Sequence, residues 1–161
     1  FLLRLLTWFL FDNMFESGHS NSFGWILRMK KVFVNGAFDV LHSGHLDMLY
    51  YAASLGSHLL VAIDTDTRIE YNKGKGRPFN PLSTRKYLMS SLKPVSSVAV
   101  FDTDQDLIDI IKRFAPDVMG KGSDWKGKPM GGKEYCKEVV FYERTNGEST
   151  TKTIQDFIDR R

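Results

Sequence analysis

The sequence predicts an α/β protein with a doubly wound, five-stranded parallel sheet in a single domain, and two observations support this. Short β-branched and aromatic runs alternate with helical patterns and polar loops along residues 32–158. The first such run passes into a helix through a turn that carries two histidines. Sheets of this kind bind ligands beyond the carboxyl ends of their strands, so we expect the loops there to form the functional site.

The first strand and helix occupy residues 32–56. Three β-branched and aromatic residues are followed by an Asn-Gly turn signal. Apolar residues then recur with helical spacing at Leu46, Leu49, Tyr50 and Ala53. Gly56 stops the pattern as a residue typical of the position after a helix. His42 and His45 therefore lie at the helix N-terminus, where unpaired N–H groups and the helix dipole favour anions.

The next elements follow in alternation. Further strands are predicted at residues 57–63, 97–101, 117–120 and 138–142. Residues 71–80 form a polar, basic, glycine-bearing loop that we expect to be mobile without ligand. Asn80 and Pro81 are typical of a helix start, as a capping residue and a first-turn proline.

Two more helices complete the pattern. The first begins at Asp104, ends at Pro116 and has a predicted buried stripe of Leu107, Ile108, Ile111, Phe114 and Ala115. The last follows residues 144–151, and its apolar face carries Ile154, Phe157 and Ile158. Because all strands are predicted to be parallel, the loops after them should meet at one edge of the sheet.

Composition limits the class of protein and of ligand. With 161 residues, 42% hydrophobic and 25% charged, the chain is long enough for one buried core and is neither disordered nor fibrous. The single cysteine, Cys136, excludes an internal disulfide, fits a reducing cytosol and lacks local support as a catalytic thiol. The net charge of +3 comes with basic residues grouped near strand ends, which suits a compact polyphosphate better than a nucleic-acid backbone.

Residues 1–28 differ from the rest of the chain. The apolar run 1–11 is about half the roughly 20 residues of a membrane span and contains Arg4. It lacks a small-residue cleavage site, and Met29 looks like a natural start. We interpret residues 1–28 as an upstream or added extension and residues 29–161 as the domain. A helix that contacts a second subunit or a membrane surface is the alternative.

Four strings of residues carry a resemblance to a known family. Asn35-Gly36-x-Phe38-Asp39-x-Leu41-His42-x-Gly44-His45 resembles the first motif of the HxGH nucleotidyltransferase superfamily. Arg144-Thr145-x-Gly147-x-Ser149-Thr150-Thr151 resembles the second signature of its cytidylyltransferase-like branch. Gly76-Arg77-Pro78-x-Asn80-Pro81-Leu82-x-x-Arg85 and Asp117-x-x-x-Lys121-Gly122-x-Asp124 resemble the enzymes of that branch that adenylylate heptose 1-phosphate.

The resemblance implies a Rossmann-like fold and a reaction. A phosphate oxygen of the acceptor attacks the α-phosphorus of a nucleoside triphosphate, pyrophosphate leaves, and Mg²⁺ accompanies the triphosphate. Because a phosphate monoester has its second pKa near about 6, no general base is needed at neutral pH. The side chains implied to stabilise the phosphoryl charge are His42, His45, Lys73, Lys75 and Arg144.

The resemblance also implies two sets of binding residues. Nucleotide-binding positions are Asn35, Gly36, Ala37, Phe38, Asp39, Gly44, Lys121, Gly122, Asp124, Trp125, Ser149, Thr150 and Thr151. Positions for the phosphorylated sugar or polyol are Asp66, Arg77 and Arg85. Two histidines at i, i+3 without a third ligand are a weak zinc signal, so no protein-held metal is expected.

The substrate pair has two candidates. We favour ATP with a sugar 1-phosphate of the heptose type. The alternative is CTP with glycerol 3-phosphate, since Asp124-Trp125-x-Gly127 and the last motif look more like that cytidylyltransferase. Ser96, Lys93 and Glu148 depart from its usual pattern.

The sequence also argues against two other classes of protein. A non-catalytic nucleotide-binding module would not need both histidines, and a nucleic-acid binder would show an aromatic and basic stripe. We further expect a cytoplasmic homodimer with no membrane span and no nucleic-acid partner.

Overall fold

The fold is built on one parallel sheet of five strands. The structure is a computed structural model that describes residues 30–143 and 150–160. The strands are β1 Lys31–Gly36, β2 His58–Asp64, β3 Ser97–Phe101, β4 Val118–Gly122 and β5 Glu138–Tyr142. Their order in the sheet is β3-β2-β1-β4-β5, and all four pairings are parallel. The predicted doubly wound α/β class is therefore confirmed.

Helices and short turns connect the strands. The helices are α1 Ser43–Ser54, α2 Asp66–Lys73, α3 Leu82–Ser90, α4 Asp104–Phe114 and α5 Thr150–Asp159. Two 3₁₀ turns, Ser123–Trp125 and Lys133–Tyr135, lie between β4 and β5. None of the described helices is both long enough and apolar enough to cross a membrane.

The core consists of two apolar layers, one on each face of the sheet. The layer that includes α1 and α3 contains Val32, Val34, Leu49, Ala52, Leu59, Val61, Ile63, Met89 and Val118. The layer that includes α4 contains Phe33, Leu60, Ala62, Phe101, Leu107, Ile111 and Met119. Neighbouring strand residues alternate between the layers because successive side chains point to opposite faces. On the α4 face, Asn35, Asp64 and Lys121 follow the apolar residues of β1, β2 and β4 at the carboxyl edge of the sheet.

The strand order reverses at β1. From β1 the chain continues outward through β2 and β3, and it then crosses to β4 on the other side of β1. Loops that leave β1 and β4 in opposite directions open a crevice at the carboxyl ends of these two strands. The histidine turn follows β1, so it lies at this crevice.

Gly56 lies immediately after Leu55, the C-cap of α1, as the sequence predicts. Its role, however, is close approach to β1. A Cβ atom at this position would lie 2.4 Å from the carbonyl oxygen of Lys30 and 2.8 Å from Val32 Cγ2. The absence of a side chain therefore allows the α1–β2 connection to cross the start of β1.

The helix α2 was not predicted, and the loop expected at residues 71–80 is shorter because α2 continues to Lys73. This helix is polar, with Ile69 its one buried residue, so it lacks an apolar stripe. The hydroxyl of Thr65 caps it by accepting from the Arg68 N–H at 3.2 Å. Such a cap supports the first turn of a helix with little apolar burial.

The predicted cap of α3 was wrong. Pro81, not Asn80, is the N-cap residue, and no side chain of its own caps the helix. The N–H of Leu82 instead donates to Oδ2 of Asp66 at 3.0 Å. A carboxylate from α2 thus satisfies the start of α3, which a local sequence pattern does not reveal.

Four other details differ from the sequence-based expectation. Tyr50, which the sequence placed in the apolar pattern of α1, is 50% exposed. Residues Lys121 and Gly122 belong to β4 rather than to the following loop. Ala115 is exposed, because it ends α4 in a left-handed conformation with φ 48°. Ile158 in α5 is 60% exposed, although the sequence placed it on the apolar face.

Candidate active site

The two histidines stack on each other at the N-terminus of α1. His42 is the N-cap residue, with φ −139° and ψ 169°, and its carbonyl oxygen accepts from the His45 N–H at 3.0 Å. The two ring centroids are 3.9 Å apart. Gly44 lies between them in the chain, and the Phe38 ring is 5.3 Å from His45. This packing holds both imidazoles at the anion-favouring end of the helix.

The loop between β1 and α1 has a strained backbone. Phe38 and Val40 have φ values of 47° and 44°, a backbone region that residues other than glycine rarely adopt. Such conformations cost about 1–3 kcal/mol each and cluster at functional sites. Burial of the Phe38 side chain, which is 4% exposed, contributes to holding this conformation. A Cβ at Gly36 would lie 3.4 Å from the Phe38 ring, so the glycine allows the ring to pack closely against the backbone of β1.

Asp39 joins the histidine loop to the basic loop after α2. Its carboxylate is 1% exposed. Oδ2 accepts from the Phe79 N–H at 2.9 Å and from Arg77 Nη2 at 2.9 Å, and Oδ1 accepts from the Asn80 N–H at 2.9 Å. The resemblance placed Asp39 among the nucleotide-binding residues and also implied that it orients the histidine loop. The structure shows a buried anchor that positions both loops.

The three predicted basic residues of the α2–α3 loop lie in different environments. Lys73 is the exposed last residue of α2, and Lys75 is exposed between Gly74 and Gly76. Both glycines have positive φ, 91° and 85°. The Arg77 side chain is 17% exposed and is held by Asp39. Lys75 therefore lies between two glycines whose backbone changes conformation at low cost, Lys73 lies at the helix end beside them, and the arginine is already ordered.

Arg85 does not fit the expectation of a direct substrate contact, because it is 0% exposed. Nε donates to the Asn80 carbonyl at 3.0 Å, Nη1 to the Ala37 carbonyl at 2.8 Å, and Nη2 to Asp66 Oδ1 at 2.7 Å. The guanidinium is thus a buried support of the histidine loop. Asp66, through Oδ1 and Oδ2, connects this support to the start of α3.

Lys121 lies at the strand reversal, where β4 meets β1. Its Nζ donates to Oδ1 of Asn35 at 2.6 Å and lies 4.8 Å from the centre of the Trp125 ring. Burial lowers the pKa of Lys121 to about 8, and attraction to Asp64 is the largest opposing effect. A cation that is costly to bury at a crevice is a candidate phosphate ligand.

The segment after β4 continues this part of the site. A Cβ at Gly122 would lie 2.4 Å from Oδ1 of Asp124, so the glycine leaves room for that carboxylate to fold back over the strand end. Trp125 is 40% exposed, and Lys128 Nζ is 5.9 Å from its ring centre. The indole therefore offers a stacking surface flanked by cations.

The last motif is only partly described. Arg144 and Ser149 lie outside the described residues. Thr150 and Thr151 are the first residues of α5, and their side chains also lie outside the described part. The roles expected of these four residues stay predictions.

Asp64 and Arg68 form a further part of the site that the sequence reasoning did not select. Arg68 Nε donates to Asp64 Oδ1 at 2.9 Å, Nη1 donates to the Asp102 carbonyl at 3.2 Å, and Nη2 pairs with Asp104. Burial raises the pKa of Asp64 despite the neighbouring guanidinium. Its position at the carboxyl end of β2 was the signal that could have identified it.

Metal-ligating side chains do not cluster here. Among residues 30–143 and 150–160, no group of three or more His, Cys, Asp or Glu side chains could hold a metal ion. A Mg²⁺ ion in this site would therefore take its ligands mainly from substrate phosphates and water, which is the usual arrangement in nucleotide-using enzymes.

Known proteins resemble most of the chain. The sequence model of the cytidylyltransferase-like family matches residues 33–155. The bifunctional protein HldE of Sulfurimonas denitrificans is 41% identical over 78% of this chain and 26% of its own length. The HldE of Helicobacter hepaticus is 44% identical over 78% and 26% of the respective chains. The chain thus spans about a quarter of the length of these curated relatives.

A solved structure shares the fold. The lipopolysaccharide core biosynthesis protein from Thermoplasma volcanium aligns with a TM-score of 0.58 and 23% identity, over 74% of this chain and 98% of that one. At this level of identity the similarity concerns the fold alone. It agrees with the five-stranded parallel sheet described above.

Proposed function

The chain belongs to the cytidylyltransferase-like family, and we propose that it is a nucleotidyltransferase. It transfers a nucleoside monophosphate from a triphosphate to the phosphate of a sugar or polyol phosphate, and pyrophosphate leaves. The favoured substrates are ATP and a sugar 1-phosphate of the heptose type. Mg²⁺ enters with the triphosphate and supplies charge neutralisation on its phosphate oxygens.

The stacked histidines at the start of α1 carry the proposal. Two imidazoles 3.9 Å apart at a helix N-terminus present nitrogen donors to one small anionic group. A phosphoryl group under in-line attack spreads negative charge over its oxygens, and fixed donors stabilise that charge. A module that only binds nucleotide would not require a preorganised pair of this kind.

Buried ionic contacts keep this arrangement in place. Asp39 fixes the backbone of residues 79–80 against the histidine loop, and Arg85 fixes the carbonyl of Ala37 from the other side. Catalysis that depends on positioning requires such supports, because small displacements of donors are costly. The exposed Lys73 and Lys75 can then close over the phosphates when the triphosphate binds.

Lys121, Asp124 and Trp125 make a candidate nucleotide subsite beside β4. The ammonium of Lys121 provides positive charge at the strand reversal, and the exposed indole of Trp125 provides a surface on which a base can stack. The carboxylate of Asp124 provides a hydrogen-bond acceptor next to the carboxyl end of β4.

The substrate pair is proposed from motif resemblance. The strings at residues 76–85 and 117–124 resemble enzymes that adenylylate heptose 1-phosphate. The alternative pair is CTP and glycerol 3-phosphate, which the last motif and residues 124–127 favour. The buried Arg85 acts on the loops rather than on the acceptor, so acceptor choice depends on other side chains.

The assembly and location are also part of the proposal. We expect a cytoplasmic homodimer, and the single cysteine, Cys136, fits the reducing cytosol. Light scattering on the purified chain would give its mass in solution, and a monomer at micromolar concentration would contradict this part alone.

The test of the proposed reaction is pyrophosphate release with a matrix of triphosphates and acceptors. We expect release with ATP, Mg²⁺ and heptose 1-phosphate, and dependence on both organic substrates. A preference set by a buried hydrogen-bonding group can reach about 10⁴–10⁵, so competition between ATP and CTP should be clear. Preference for CTP and glycerol 3-phosphate would replace the substrate pair, and no release with any pair would contradict the nucleotidyltransferase proposal.

A further inference from the structure

A row of three polar side chains lies along the carboxyl edge of the sheet, on the face that α4 covers. On that face Phe33, Leu60, Ala62 and Met119 form the apolar layer. The next residue on the same face is Asn35 in β1, Asp64 in β2 and Lys121 in β4, because side chains alternate along each strand. We call these three residues the edge row.

The hydrogen bond within the edge row orients the Asn35 amide. Lys121 Nζ lies 2.6 Å from Asn35 Oδ1. An ammonium group only donates hydrogen bonds, so the atom that faces it is the amide oxygen. The Nδ2 group of Asn35, with two N–H donors, is therefore on the other arm of the amide.

Asp64 is ordered on one side by Arg68. Arg68 Nε donates to Oδ1, and among the described residues it is the only hydrogen-bond donor to this carboxylate. The guanidinium itself is held by the Asp102 carbonyl and by Asp104. The Oδ2 atom of Asp64 thus has capacity to accept while the side chain, 16% exposed, keeps one orientation.

The strand geometry places the donor and the acceptor close together. Asn35 pairs with Ala62 across the β1–β2 ladder, and Asp64 is the next residue of β2 on the same face. Adjacent strands are about 4.8 Å apart, and same-face residues along a strand are about 6.6 Å apart. Asn35 and Asp64 are therefore diagonal neighbours on one face, about 7–8 Å apart, a spacing that one sugar ring can bridge.

We propose that Asp64 and Asn35 bind neighbouring hydroxyl groups of a sugar, Asp64 Oδ2 accepting and Asn35 Nδ2 donating, and that Asp64 thereby determines which sugar is accepted. This inference rests on the proposed nucleotidyltransferase function. The hydroxyl groups belong either to the ribose of the triphosphate or to the acceptor sugar. Arg68 is the positioning residue, since it fixes the carboxylate without reaching the sugar.

The charge of Asp64 supports a role beyond packing. Burial raises the pKa of this carboxyl, and Arg68 only partly offsets that effect. A carboxylate retained at such a cost, at the edge where ligands bind, is a candidate functional group. Lys121, the other charged member of the edge row, attracts it across β1.

The test is Asp64→Asn, which keeps the shape but replaces an acceptor oxygen with a donor. The variant should raise the KM of one substrate by about 10–100-fold, the value of a hydrogen bond to a charged group, with kcat nearly unchanged. A raised KM for ATP assigns the site to the ribose, and a raised KM for heptose 1-phosphate assigns it to the acceptor. With 2′-deoxy-ATP and 3′-deoxy-ATP, the ribose assignment predicts that wild type loses affinity and the variant does not.

Asp109→Asn is the matched control. Asp109 is exposed on α4, where its carboxylate accepts from Gln105 Nε2 at 2.9 Å, and in the described part of the chain no hydrogen bond or ion pair joins it to the edge row or to Arg68. We expect this variant to keep both KM values. If Asp64→Asn folds poorly, Asp64→Asn combined with Arg68→Gln removes the cation that has lost its buried partner and permits the same measurement.

Calorimetric titration of ATP with Mg²⁺, and of heptose 1-phosphate, measures the same affinities without turnover. Wild type that binds but releases no pyrophosphate would contradict the proposed function and leave the titration as the test of Asp64. Equal affinities for both ligands in wild type and Asp64→Asn, with only a lower melting temperature, would overturn the inference and leave Asp64 as a structural partner of Arg68.

Discussion

Arg85 and Asp66 form an ion pair at 2.7 Å, in which the guanidinium is fully buried and the carboxylate is 45% exposed. The pair connects the start of α2 to the middle of α3. Because Arg85 also donates to the carbonyls of Ala37 and Asn80, one side chain supports the histidine loop and the basic loop together. Its loss should therefore affect stability first.

Arg85→Lys should lower the free energy of unfolding by about 2–5 kcal/mol, since lysine cannot donate in the three directions that the guanidinium fork serves. Chemical denaturation followed by circular dichroism measures this. Arg113→Lys, at an exposed position in the last turn of α4, is the control and should change stability by less than about 0.5 kcal/mol. An Arg85→Lys protein of normal stability with a higher acceptor KM would instead restore the substrate-binding role.

His42→Ala and His45→Ala should each lower kcat by about 10²–10³, because each removes a preorganised donor to the transition state. Pyrophosphate release under saturating substrates gives kcat, and circular dichroism verifies the fold. His58→Ala is a suitable control, because His58 is exposed at the opposite edge of the sheet and bonds Ser97. Near-normal turnover in both site variants would exclude the mechanism proposed here.

Trypsin cleavage at Lys73 and Lys75 should slow when ATP and Mg²⁺ are present. Both lysines are exposed, and charge-assisted contacts to phosphates should reduce the population of open loop on which cleavage depends. Mass spectrometry of the fragments identifies the cut sites. Sodium chloride at the same ionic strength is the control, and equal cleavage in both solutions would indicate a passive surface loop.

Lys121 should make stability increase with pH between about pH 8 and 10.5. Its folded pKa of about 8 lies below the ordinary 10.5, so in this interval the unfolded chain binds more protons than the folded chain. The free energy of unfolding of the wild type, relative to that of Lys121→Met, should rise by about 3 kcal/mol across the interval.

Unfolding at several pH values, in wild type and Lys121→Met, measures this difference. Cys136 acts in the opposite sense, because burial raises the pKa of its thiol to about 11. The cysteine is present in both proteins, so its effect largely cancels in the comparison. A flat difference between the two curves would show that Lys121 is not buried as a costly cation.

A chain that begins at Met29 should retain nucleotide-transfer activity, because every motif lies between residues 35 and 151. Turnover and the mass in solution should be compared with those of the 161-residue chain. If the shorter chain unfolds or changes its oligomeric state, residues 1–28 are a structural part of the protein.

The sequence by itself determined the sheet and the main chemical group. Each strand is a short apolar run, and the spacing of Asn35 to His45 places two histidines at a helix start whatever the surroundings. Such features depend on residues that are near one another in the sequence, so a local pattern predicts them. The helix α2 was not predicted, because its eight residues bury only Ile69 and show no apolar periodicity.

Only the tertiary structure decided which polar residues support the loops and which face the crevice. Asp39 meets Arg77 across 38 positions, and Lys121 meets Asn35 across 86. Parallel pairing brings these groups to one edge of the sheet. The degree of burial then decides which of them support the loops and which face the crevice. Arg85 and Asp39 become internal supports because the chain surrounds them, whereas the carboxylate of Asp64 stays at the edge of the sheet because β2 ends there.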